Sequence, residues 1–75
     1  METEEPFRIK AYYKADLAML YNPDMLLASS MRKLRNWIQK NEDLYRQMYE
    51  GNEGKNDHCY TRRQVELIVF YLGEP

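Results

Sequence analysis

Apolar residues recur along this chain in two different periods, and the changes from one to the other mark out its elements. From Phe7 to Tyr12 the pattern alternates, with Phe7, Ile9 and Ala11 on one side and Arg8, Lys10 and Tyr12 on the other, which predicts a short strand. Leu17, Ala18, Leu20 and Tyr21 then fall at helical spacing, so a first helix of about two turns is expected from Lys14 to Tyr21. Pro23 ends it, because the proline ring disfavours helical geometry at Asn22.

After a connection through Met25, Leu26 and Leu27, a second helix is predicted from Ser30 to Lys40, with Ser29 or Ser30 accepting a free backbone N–H as its N-cap. Its inward stripe is Met31, Leu34, Trp37 and Ile38. Asn41 followed by Glu42 and Asp43 suits the start of a third helix, where a side-chain acceptor and early acids meet the exposed donors and the positive end of the dipole. Leu44, Tyr45, Met48 and Tyr49 form its stripe, and Gly51 is expected to end it.

Residues 51–57 read as a polar loop, and His58 to Tyr60 as a second short strand that pairs with the first. Thr61-Arg62-Arg63-Gln64 has the form of a capping box, so a fourth helix should run from Arg62 to Leu72, with Gly73 closing it and Pro75 just beyond. The expected architecture is a mainly α (α+β) domain of four short helices with a small two-stranded β-ribbon, helix-turn-helix-like. Its core should draw on Phe7, Ile9, Leu17, Leu20, Leu34, Trp37, Ile38, Leu44, Met48, Val65, Ile68, Val69 and Leu72, with Trp37 the largest contributor.

The fourth helix is apolar on more than one side. Val65, Ile68, Val69 and Leu72 make one face, while Leu67, Phe70 and Tyr71 carry the apolar surface further round. Either the helix is buried on all sides, or Leu67, Phe70 and Tyr71 are left to self-association or to a protein partner.

Size and composition narrow the class. A chain of 75 residues is one small domain, read here as an acidic disordered lead-in over 1–6 and a single helical domain over 7–75. The lone Cys59 cannot form an internal disulfide and fits a reducing compartment, so a cytoplasmic location is expected. The acidic opening Met-Glu-Thr-Glu-Glu is unlike a signal peptide, and the longest apolar run, Leu67 to Leu72, falls far short of the roughly 20 residues of a membrane span.

Catalytic or metal chemistry finds little material. Asp57, His58 and Cys59 are sequence neighbours, and on a strand adjacent side chains point to opposite faces, so a strand residue packed on the core is the plainer reading of Cys59. One His and one Cys fall short of the ligands that a structural zinc site takes. Gly51 and Gly54 lack the context of a phosphate loop. The chain is expected to be no enzyme, to hold no cofactor or metal, and to take no small-molecule substrate.

Charge points elsewhere. The net charge is −1, yet residues 8–40 hold Arg8, Lys10, Lys14, Arg32, Lys33, Arg35 and Lys40 against only Asp16 and Asp24. The outer face of the second helix, Arg32, Lys33, Arg35, Asn36, Gln39 and Lys40, has the residue types that read bases in a major groove. Arg62 and Arg63, at the start of the fourth helix, are placed to hold phosphates. Against this, any surface helix carries Lys and Arg, and a connection from Asn22 to Ser30 is longer than the roughly 3–4 residues of a helix-turn-helix. Two functions remain: a protein-interaction or accessory module that self-associates, and a DNA-binding protein.

The runs Leu17-Ala18-Met19-Leu20-Tyr21, Leu34 with Trp37-Ile38 and Asn41, Thr61 with Gln64-Val65 and Ile68, and the ending Tyr71-Leu72-Gly73-Glu74-Pro75 resemble a family of short bacterial domains of unknown function, over about residues 7–75. The resemblance implies a helix-turn-helix-like or excisionase-like domain and no defined biochemistry. This chain departs from the family pattern at 51–57, where Glu53 and Asp57 make a wing less basic.

Overall fold

The computed structural model describes residues 7–75, so the expected lead-in over 1–6 lies outside the described residues. The elements run β1 (Tyr12–Tyr13), α1 (Lys14–Tyr21), α2 (Leu27–Lys40), α3 (Glu42–Met48), β2 (Cys59–Tyr60) and α4 (Arg62–Leu72). This is the expected mainly helical arrangement with a minimal antiparallel ribbon.

The ribbon is shorter than predicted and sits later in the chain. Tyr12 pairs with Tyr60 and Tyr13 with Cys59. The Lys14 N–H continues the ladder by donating to the His58 carbonyl at 2.8 Å. Residues 7–11 are not strand, because the chain folds back on itself there. The rings of Phe7 and Tyr12 stack at 5.5 Å, whereas five residues of strand would hold them roughly 17 Å apart. The Tyr12 hydroxyl donates to the Arg8 carbonyl at 2.8 Å and fixes that turn.

α2 begins one turn earlier than its sequence suggests. The Ser30 N–H already bonds the Leu26 carbonyl at 2.9 Å, and no side chain caps the helix. Neither serine is the N-cap: Ser30 is fully buried in the first turn, and its hydroxyl donates back to the Leu27 carbonyl at 3.0 Å. The connection between α1 and α2 therefore shrinks to residues 22–26, close to the roughly 3–4 of a helix-turn-helix.

Asn41 alone separates α2 from α3 and serves both. Its N–H bonds the Ile38 carbonyl, and its Oδ1 accepts the Leu44 N–H at 3.1 Å as the predicted cap. α3 ends at Met48, short of Gly51. The capping box of α4 is complete, with Thr61 Oγ1 accepting from Gln64 N–H and Gln64 Oε1 accepting from Thr61 N–H. Gly73 ends that helix at φ 88°, a conformation that costs a side chain more than it costs glycine.

The core is Leu17, Ala18, Leu34, Ile38, Leu44, Met48, Tyr60, Val65 and Ile68. Trp37 is only half-buried and is not its centre; it packs edge-on to Tyr21 at 6.3 Å, on the flank of α2. Leu20, expected inside, is 46% exposed. At about 100° per residue it lies well off the Leu17–Ala18 face that meets α2. Phe7, Ile9, Val69 and Leu72 are half-buried around the core.

Candidate nucleic-acid interface

With Ser30, Leu34 and Ile38 turned into the core, helical geometry sends Arg32, Asn36 and Gln39 directly outward. Lys33 and Lys40 flank them on the Trp37 side, and Arg35 on the other. All six are exposed. The Lys33 ammonium stands 5.2 Å from the centre of the Trp37 ring, so the half-buried indole supports a cation on its outer face.

α2 contains no acid, and the ion pairs among the described residues lie elsewhere: Arg46 with Asp43 and Glu50, and Arg63 with Glu53. The cations of α2 thus make no ion pair among the described residues, although Lys40 borders the same surface depression as Glu42 and Asp43.

The two arginines at the start of α4 part company. Arg62 is exposed and makes no ion pair among the described residues. Arg63 is engaged: it binds both Glu53 oxygens at 2.7 and 2.9 Å and donates to the Gln47 and Met48 carbonyls. It closes the end of α3 and anchors the following loop. Glu53 consequently lies against the protein with its side chain 9% exposed, and its carboxyl is held down to about 2 by the Arg63 hydrogen bonds.

The residues expected for self-association also divide. Leu67 and Tyr71 are half-buried, and the Tyr71 hydroxyl accepts from Gln47 Nε2 at 2.6 Å. Only Phe70 is open, at 80% exposure, because it lies about 200° round the helix from buried Ile68. Cys59 is exposed on β2, and among the described residues no cluster of His, Cys, Asp and Glu is arranged to hold a metal ion. No helix of the described residues is long and apolar enough to cross a membrane.

Sequence reasoning did not find a cavity of about 190 Å³ beside Arg35, between α1, α2, α3 and β2. Lys14, Lys55, Tyr45, Tyr49 and Tyr60 reach it from separate segments. Tyr45 and Tyr49 share the stripe of α3, but no local spacing links them to Lys14, Lys55 or Tyr60. Burial lowers the Lys14 ammonium from its ordinary pKa, with Asp57 opposing the effect and Arg35 adding to it. Burial likewise raises the Tyr60 phenol to about 12, so it stays protonated at neutral pH.

No curated protein and no solved structure matches the chain. Residues 8–75 match the family described as Domain of unknown function (DUF4248), and the chain belongs to that family.

Proposed function

We propose that this protein binds duplex DNA with α2 as the reading helix. The observation that carries the reading is the outer face of α2, where four cations and two amides stand exposed with no acid on the helix and no ion pair among the described residues. A helix of this width fits the major groove, where Arg32 would meet guanine and Asn36 or Gln39 adenine. Lys33, Lys40 and Arg62 would rest on phosphates, the last with help from the free N–H groups of α4. The short α1–α2 connection favours the same reading.

Fluorescence anisotropy on duplex DNA over a salt series tests it. Affinity should fall linearly on logarithmic axes, and Lys40→Ala should reduce that slope by about one. Arg32→Ala should weaken binding to a preferred site by about tenfold. Absence of salt-sensitive binding up to roughly tens of micromolar protein would end the proposal.

A second reading, self-association, is favoured by Phe70, an aromatic ring 80% exposed in the last turn of α4 and, of the three residues expected to associate, the one left open. Sedimentation at micromolar concentration separates the two: a dimer that Phe70→Ser dissociates supports association, and an unchanging monomer removes it.

A further inference from the structure

Lys14, Arg35 and Lys55 border one cavity, and no carboxylate lines it. Arg35 acts on Lys14 electrostatically, and a cleft lined by charges of one sign draws counter-ions to itself. Lys55 is held over the rings of Tyr45 and Tyr49 at 4.9 and 5.4 Å, and Lys14 over the ring of Tyr60 at 5.3 Å. Lys14 also donates to the Lys55 carbonyl at 3.1 Å, which ties α1 to the loop that supplies the second lysine. Asp57 acts on Lys14 from outside the cavity lining, and its carboxylate accepts the Gly54 N–H at 3.1 Å.

Free donors accompany the charges. Tyr12, Tyr21 and Tyr71 use their hydroxyls in hydrogen bonds within the chain, whereas among the described residues Tyr45, Tyr49 and Tyr60 do not. The cavity backs onto the buried core residues Ala18, Leu34 and Ile38, with half-buried Met31 beside them. Cations and phenols around an apolar floor match a molecule with an acidic head and an apolar body. The volume of about 190 Å³ lies under the roughly 300–1,000 Å³ of pockets for drug-sized ligands, so that molecule is small.

We infer that this cavity is a binding site for a small organic anion, a carboxylate or phosphomonoester whose acid group sits between Lys14, Arg35 and Lys55 and whose planar body lies against the tyrosines. It is a ligand site. The inference stands apart from DNA binding, although Arg35 belongs to both surfaces.

The test is a titration of the full chain with phenyl phosphate, with benzoate and inorganic phosphate as parallel arms, followed by ¹H–¹⁵N correlation spectra in the absence of DNA. The expected result is saturable shifts centred on Lys14, Arg35, Tyr49 and Tyr60 with at least one organic anion, and weaker binding of inorganic phosphate. Arg35→Ala and Lys55→Ala, both at exposed positions, should each weaken that binding by about tenfold while leaving the rest of the spectrum in place. The inference is overturned by shifts scattered over the surface, by inorganic phosphate binding as tightly as the organic anions, or by affinity unchanged in the double variant.

Discussion

Glu53 and Arg63 show how one pair of side chains can settle a loop. The carboxylate takes Nε and Nη2 of the guanidinium edge-on and accepts the Gly51 N–H at 3.1 Å, while the same Nη2 also donates to the carbonyls at the end of α3. Because the folded-state pKa is depressed to about 2 from an ordinary 4.5, the unfolded chain binds more protons throughout that interval, and stability rises with pH across it. The contribution of Glu53 is therefore fully present above about 4.5 and is lost as pH falls through 2. Urea midpoints of the natural chain and Glu53→Gln should differ most above that window and converge at its acid end; a difference that does not change with pH would count against the ion pair as its source. At this scale the sequence was a partial guide. Glu53 and Asp57 read as charges on a loop, since nothing in their spacing says that one would be neutralised by an arginine ten residues on.

Elements were more legible where their signals are local. Thr61 and Gln64 are three residues apart and satisfy each other's backbone donors, so the start of α4 could be read directly. The same Gln64 also donates from Nε2 to the Met48 carbonyl at 2.8 Å while only 2% exposed, joining the start of α4 to the end of α3. Thr61→Ala should cost about 1 kcal/mol in chemical denaturation. Gln64→Ala should cost more, because it removes half of the capping box and also the shorter of the two hydrogen bonds to the Met48 carbonyl, leaving only the one from Arg63. Equal losses from the two substitutions would show that the tie to α3 contributes nothing. Where a start signal depends on tertiary packing, sequence failed: Ser29 and Ser30 looked like caps, but packing of Ser30 beneath α1 extends α2 by a turn. The predicted first strand failed for a related reason, since alternation over Phe7 to Tyr12 cannot reveal a chain reversal that the Phe7–Tyr12 stack holds.

Across the whole molecule, α2 is the element that everything else orients. Leu34 and Ile38 are buried against the other helices, and that one constraint fixes both the outward set around Arg32 and the placement of Arg35 at the cavity. Helical period made the first consequence readable from sequence. The second was not, because the cavity exists only where α1, α3, β2 and the 51–58 loop converge on α2, and convergence of distant segments leaves no local spacing. Stability and recognition should accordingly separate along opposite sides of one helix. Leu34→Ala, at a fully buried position, should destabilise the fold by about 2–5 kcal/mol, a large share of the roughly 5–15 kcal/mol typical of a domain. Arg32→Ala, exposed and without an ion pair, should move the denaturation midpoint little, within about 0.5 kcal/mol, while changing DNA affinity. If Arg32→Ala instead unfolded the protein, its side chain would be part of the packing, and the loss of binding could no longer be assigned to a contact with bases.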